Sequence, residues 1–272
     1  MNNHILITIL LTSQIDSNML IAKLVNAGLD GFEETGDALL GYVDEAHFNE
    51  EDVAAAVDGL GVTYTKSLLP KQNWNALWES NFEPVLVDSF CSIRAWFHPA
   101  NDTVPYDIEI TPKMSFGTGH HATTYLMVKQ MQNMDFLGKT VADFGTGTGV
   151  LAILAKKLGA LNVLAIDNEE YSIENATENV EKNGCNNIDI RLASAFTTEE
   201  QFNIILANIN RNIIIDNLKA MQDSMTRPGI LLLSGLLLSD EQEIVIQCLK
   251  LKFSLINRQE KNNWITLQFS LP

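Results

Sequence analysis

Apolar residues in the first 70 positions fall into short runs whose spacing predicts a β-α-β-β-α-β order. His4–Leu10 is Ile-rich and reads as a strand. Ser13 or Asp16 can cap a helix in which Leu20, Ile21, Leu24 and Val25 recur at helical spacing. Strands near Leu29–Glu34 and Leu39–Asp44 meet at the turn Thr35-Gly36-Asp37. Asn49 caps a second helix, with Glu50, Glu51 and Asp52 in its first turn, where carboxylates suit the helix dipole. Its inner face is Val53, Ala56, Val57 and Leu60, Gly61 ends it, and Val62–Leu68 closes the set. That order matches a ferredoxin-like α+β plan.

Residues 71–84 predict a linker helix, because Trp74, Trp78 and Phe82 recur every four positions and share one face. Strands follow near Val85–Val87, Phe90–Ala95 and Tyr106–Ile110. From Leu137 onward strands and helices alternate: Thr140–Asp143, Leu151–Leu158, Val163–Asp167, Ile173–Asn183, Ile188–Leu192, Ile204–Ala207, Ile213–Met225 and Gly229–Leu233. This is the pattern of a doubly wound α/β sheet. The expected organisation is therefore a small α+β domain over 1–70, a linker helix over 71–84 and an α/β domain over 85–272.

Charge sharpens that division. The 272 residues carry a net charge of −16. Residues 1–60 hold eleven acids against one base, Lys23. So lopsided a segment suggests a module with its own, basic partner. The same balance makes a phosphate backbone a poor target, so little nucleic-acid contact is expected. Cys91, Cys185 and Cys248 are scattered without metal or redox spacing, which fits a reducing cytoplasm and no metal site. The apolar run Ile5–Leu11 lacks a preceding basic residue and a following cleavage site, so no signal peptide is read there. Ile230–Leu238 is interrupted by Ser234 and Gly235 and is too short to span a bilayer. A monomer is expected.

The strongest chemical signal is Thr140-Val-Ala-Asp143-Phe-Gly145-Thr-Gly147-Thr-Gly149-Val150. A buried strand ends at Asp143, three alternate glycines follow, and an apolar helix begins at once. Glycines let the backbone turn sharply and let a ligand reach main-chain N–H groups. The next strand ends in Asp167, whose carboxylate can accept from both hydroxyls of a ribose. A dinucleotide site calls for G-x-G-x-x-G, and here Val150 holds the third position. The G-x-G-x-G spacing, with Asp143 two residues ahead, instead resembles the S-adenosylmethionine loop of the seven-strand methyltransferases. In that setting Asp143 could help hold the cationic methionine part. An NAD-dependent oxidoreductase is the alternative.

Two further segments stand out. Phe116-Gly-Thr-Gly-His-His-Ala-Thr123-Thr124 is a polar, glycine-rich loop before a helix. Thr123 can cap that helix, leaving Thr124 to point elsewhere, and the loop reads as a flexible neighbour of a ligand pocket rather than a metal site. Asn208 stands just past a buried strand expected beside the one that leads to Gly145. Its amide can accept from an attacking amine, or it can cap the next helix.

These segments, with Leu233-Ser-Gly-Leu236 and the upstream tryptophans and Pro84, resemble the bacterial methyltransferases that modify protein eleven of the large ribosomal subunit. The resemblance runs over nearly the whole chain. It implies S-adenosylmethionine as cofactor, contacted by Thr124, Gly145, Asp167 and Asn208, with Phe116 and Thr123 lining the methyl-transfer site. Gly147, Gly149 and Asp143 complete the expected cofactor set, and Asn208 is shared with the catalytic set. It also implies methylation of lysine side chains and the α-amine of that ribosomal protein, which the acidic N-terminal domain would bind. Methylation of another protein or of RNA, and a non-catalytic binding module, are the other readings. The chain departs from the family pattern at His120 for Thr, Ala122 for Pro, and Asn203 for Asp.

Overall fold

A computed structural model describes residues 3–11, 17–69, 82–113, 115–185 and 187–272. The chain divides into two compact units, Met1–Asn81 and Phe82–Pro272.

In the first unit the elements follow the expected order: β1 (His4–Leu10), α1 (Ser17–Asn26), β2 (Gly31–Thr35), β3 (Ala38–Asp44), α2 (Glu50–Val57) and β4 (Tyr64–Leu69). The strands form an antiparallel sheet in the order β2-β3-β1-β4. Period-two alternation on β1 sends Ile5, Ile7 and Ile9 into one core with Leu20 and Leu24 of α1 and Val53 and Val57 of α2. The Asn49 side chain caps α2 by accepting from the Glu51 N–H at 3.0 Å. That helix stops at Val57, short of Gly61, because Asp58 already turns extended (φ −57°, ψ 136°). The caps Ser13 and Asp16 lie outside the described residues, as does most of the expected linker helix. Its last three positions, 82–84, have no regular structure.

The second unit opens with a three-stranded sheet: β5 (Val85–Val87), β6 (Cys91–Ala95) and β7 (Tyr106–Ile110). Helix α3 (Ala122–Met131) leads to the main sheet. Its elements are β8 (Thr140–Phe144), α4 (Val150–Lys157), β9 (Asn162–Asp167), α5 (Glu170–Lys182), β10 (Ile188–Leu192), β11 (Phe202–Asn208), α6 (Arg211–Asp223), β12 (Met225–Leu237), α7 (Glu241–Lys250), β13 (Ser254–Lys261) and β14 (Trp264–Leu271). The seven strands run β10-β9-β8-β11-β12-β14-β13. The first five are parallel, and β14 and β13 are antiparallel additions.

The central strands are largely apolar because both faces are covered. Val141, Val163, Ala165, Ile204 and Leu206 face one core, with Met127 of α3 and Ile153 of α4. Ala142, Leu164, Ile166, Ile205 and Ala207 face the other, with Leu218 of α6 and Ile244 of α7. Burying one such Leu or Ile contributes ~1.5–3 kcal/mol. Chain order places the carboxyl ends of β8, β9 and β11 together, at the edge where parallel α/β sheets gather ligands.

Candidate active site at the carboxyl edge of the sheet

The glycine loop connects β8 to α4. Gly145, Gly147 and Gly149 all have positive φ, at 77°, 55° and 79°. At Gly147 the requirement is also spatial: a Cβ would stand 2.2 Å from the Phe116 carbonyl oxygen. The loop is pinned to β9, since the N–H groups of Gly145 and Thr146 donate to the Ile166 carbonyl at 2.8 and 2.9 Å. Asp167 completes the attachment. Its Oδ2 accepts from the Gly147 N–H at 2.8 Å and its Oδ1 from the Glu169 N–H at 3.1 Å. Each oxygen keeps a further lone pair for a hydroxyl.

Asp143 is fully buried. Its Oδ2 accepts from the Thr146 hydroxyl at 2.6 Å, and its Oδ1 has no partner. Burial pushes this carboxyl up to about 7; the Thr146 hydrogen bond draws it back, the nearby Asp167 charge raises it, and the Ala152 N–H at the start of α4 lowers it. A carboxylate that binds no cation here is expensive, so the position favours a positively charged ligand group.

The loop before α3 lies on the glycine loop. Thr148 is buried and bridges them: its N–H donates to the Phe116 carbonyl at 2.9 Å and its hydroxyl to the Gly117 carbonyl at 2.8 Å. Asn179 of α5 then donates to the Thr148 carbonyl at 2.8 Å. Phe116 itself is half exposed, whereas Thr123 and Thr124 are fully buried. The expected Thr123 cap is corrected by the structure: His121 caps α3, accepting from the Thr123 N–H, and Thr123 lies inside the first turn.

Asn208 ends β11, and β11 pairs with β8 in parallel as expected. The neighbouring helix α6 is capped by Asn210, which accepts from the Ile213 N–H at 3.1 Å. Asn208 is therefore released from capping. Its Nδ2 donates to the Thr124 hydroxyl at 3.4 Å, and its Oδ1 is buried without a partner. Leu233-Ser-Gly-Leu236 supports this corner: a Cβ on Gly235 would strike the Ile209 carbonyl oxygen at 2.2 Å, so only glycine lets β12 pass beneath the Asn208–Ile209 turn. Thr124, Asp143, Gly145, Gly147, Gly149, Asp167 and Asn208 thus stand on connected segments, with Thr123 and Phe116 adjacent.

Two residues of the site were missed at the sequence level. His121 packs its ring against Phe116 and Trp264, with centroids at 5.2 and 4.6 Å. Trp264 begins β14, in a hairpin the sequence pattern did not predict. Two departures from the family pattern are structural. His120 donates Nε2–H to the Glu83 carbonyl at 2.9 Å and packs on Phe82. Asn203 is the second residue of β11, near the opposite end of the strand from Asn208. Its Oδ1 accepts from the Thr140 N–H at 2.9 Å, and its Nδ2 donates to Thr226 at 2.9 Å. Among the described residues no cluster of three or more His, Cys, Asp or Glu could hold a metal, and no helix is long and apolar enough to cross a membrane.

A family model described as "Ribosomal protein L11 methyltransferase (PrmA)" matches residues 32–271. A protein of that name from Porphyromonas gingivalis is 38% identical over 269 residues, covering 96% of this chain and 92% of its own. One from Chlorobaculum tepidum is 37% identical over 274 residues, covering 94% of each. The crystal structure of ribosomal protein L11 methylase from Lactobacillus delbrueckii subsp. bulgaricus superposes with a TM-score of 0.65 at 28% identity, covering 70% of this chain and 98% of that one. With a family model matched over residues 32–271 and relatives 37–38% identical over 94–96% of its length, the chain belongs to the ribosomal protein L11 methyltransferase family.

Proposed function

We propose that this protein transfers methyl groups from S-adenosylmethionine to lysine ε-amines and the α-amine of ribosomal protein L11. Family membership carries the reading, and the donor set of the site fits the cofactor. The unpartnered Asp143 Oδ1, fully buried, asks for a cation, which the methionine part supplies. Asp167 offers lone pairs to ribose hydroxyls, and Gly145, Gly147 and Gly149 let the loop close against Ile209, Phe116 and Ala176. Thr124 and Asn208 stand beside that loop, joined by the Asn208 Nδ2 to Thr124 hydroxyl hydrogen bond at 3.4 Å. When bound, the cofactor presents an electrophilic methyl on a cationic sulfur. An NAD-linked oxidation is not favoured, as the family is one of methyltransferases.

The residues around that methyl perform positioning work. Phe116, half exposed, closes over the acceptor and excludes water. Thr123 and the Asn208 Oδ1 offer lone pairs to an incoming N–H. A lysine amine in water titrates at ~10.4 and must shed its proton before it attacks; the apolar surroundings of Phe116 favour the neutral form.

The first unit reads as a ferredoxin-like substrate-binding domain spanning about residues 1–70. Its antiparallel β2-β3-β1-β4 order with two helices supports this, and so does its excess of acids. Glu33, Glu34, Glu50, Glu51 and Asp52 are exposed, a surface suited to a basic protein. The linker is read over residues 71–84, of which 82–84 belong to the second unit, and the methyltransferase domain over the remainder. A cytoplasmic monomer with little direct nucleic-acid contact is consistent with a protein substrate taken before assembly into the ribosome.

The direct test is incubation with methyl-labelled S-adenosylmethionine and purified ribosomal protein L11, followed by intact-mass and peptide mass spectrometry. Mass increments on lysine or the amino terminus are expected. Absence of label at saturating cofactor defeats the assignment.

A further inference from the structure

Helix N-caps are ordinarily Ser, Thr, Asp or Asn, so an imidazole in that place is a choice that needs a reason. His121 Nδ1 accepts from the Thr123 backbone N–H at 3.4 Å and lies 2.7 Å from the Thr123 hydroxyl oxygen. A backbone N–H can only donate. Nδ1 therefore carries the lone pair, and in the neutral ring the proton is on Nε2. The hydroxyl of Thr123 then has one partner geometry available, in which its own proton points at Nδ1. The ring is held edge-on between Phe116 and Trp264, neither of them charged, and burial lowers its pKa, which keeps it neutral.

With its proton committed to His121, the buried Thr123 Oγ1 presents only lone pairs to its surroundings. Asn208 reaches the same polarity by another route. Its Nδ2 is engaged by the Thr124 hydroxyl, and Oδ1 is left buried and free of partners. We infer that His121 is a positioning residue that makes Thr123 an obligate acceptor, so that Thr123 Oγ1 and Asn208 Oδ1 together receive the two N–H bonds of a neutral primary amine.

This rests on the N-methyltransferase reading above and specifies how its amine is held. A neutral primary amine has two N–H bonds and one lone pair. When both N–H bonds are accepted, the lone pair is the one feature left to face the methyl. A hydroxyl free to rotate would instead offer its proton to that lone pair and quench it. His121 removes that competing arrangement. An ammonium group, with three N–H bonds and no lone pair, cannot use the pair of acceptors productively.

Two variants separate this role from ring packing. His121→Asn places an amide oxygen near the Nδ1 position and gives up the ring. His121→Phe keeps a ring between Phe116 and Trp264 and gives up the acceptor. Loss of one oriented hydrogen bond predicts that kcat falls about tenfold or more in His121→Phe and stays within about threefold of wild type in His121→Asn. Calorimetric affinity for S-adenosylmethionine should be unchanged in both. The reverse ranking, or equal kcat values in the two variants, overturns the inference.

A second readout needs no folded variant. Nitrogen-15 NMR of histidine-labelled wild-type protein should show the His121 ring as the Nε2–H tautomer, and an Nδ1–H ring overturns the inference. If wild type fails to methylate at all, the proposed function falls, whereas the tautomer remains measurable on its own.

Discussion

Asp143→Asn is predicted to stabilise the ligand-free protein while weakening its hold on the cofactor. The substitution keeps volume and keeps an oxygen to accept from the Thr146 hydroxyl, which bonds Asp143 at 2.6 Å. It removes a carboxyl that titrates at about 7 in the folded protein against an ordinary 3.8, chiefly through burial. Between those two values the folded state retains a proton that the unfolded chain has released. Wild-type stability therefore falls as pH rises across that window and is level above it. At ~1.36 kcal/mol per pH unit, the complete interval corresponds to about 4 kcal/mol. The variant should match wild type near pH 4, exceed it by ~2 kcal/mol at pH 5.5, and by ~4 kcal/mol at pH 8.

Urea denaturation of both proteins, followed across pH 4–8 without cofactor, measures this difference, and pH effects common to both cancel. A gap that does not widen between pH 5 and pH 8, or a variant less stable at pH 8, refutes the reasoning. The complementary measurement is calorimetry with S-adenosylmethionine. An ionised Asp143 is the form that attracts a cation, so wild-type affinity should climb from pH 6 to pH 8, and the Asn variant should lose that slope.

Three other outcomes follow from particular contacts. Gly147→Ala places a methyl 2.2 Å from the Phe116 carbonyl at a φ of +55°, and should weaken cofactor affinity at least about tenfold by calorimetry; an unchanged constant would show that the loop yields freely. Asn203→Ala cuts the ties to Thr140 and Thr226, and should lower stability by ~1–3 kcal/mol in denaturant titration with kcat within about twofold of wild type. Glu33→Gln with Glu34→Gln on β2 should raise KM for ribosomal protein L11 and flatten its dependence on salt, leaving cofactor affinity alone. Equal KM values at low salt would remove β2 from substrate binding.

What the sequence disclosed depended on how local the physical cause was. The glycine loop, Asp167 and Asn208 were legible because an apolar strand, its terminating polar residue and the next helix lie within a few positions of one another. The structural place of Asn203 was not legible for the opposite reason. It sits close to Asn208 in sequence, but five residues of extended strand at ~3.3 Å each put it about 16 Å away, at the other edge of the sheet. The His121 cap escaped notice because helix-start patterns look for hydroxyl and carboxamide side chains, and Thr123 offered one nearby. β13 reads Ser-Leu-Ile-Asn-Arg-Gln-Glu-Lys and is largely exposed, so it lacks the apolar alternation that announces a strand.

That unannounced hairpin bears directly on the site. β14 pairs with β12 across an irregularity between Leu233 and Leu236, at Ser234-Gly235. The Ser234 hydroxyl donates to the Ile265 carbonyl at 2.9 Å and accepts from Thr266 at 3.1 Å, so the irregularity is fastened by side chains rather than left loose. Within it, Gly235 lets the backbone pass under Ile209, next to Asn208. Just past it, Leu237 pairs with Trp264, whose ring abuts His121. A single distortion in the sheet therefore sets both sides of the acceptor arrangement: the amide at the end of β11 and the imidazole at the start of α3. The sequence motif Leu-Ser-Gly-Leu is short and distant from the glycine loop, yet its chemistry is that of a brace for the methyl-transfer corner.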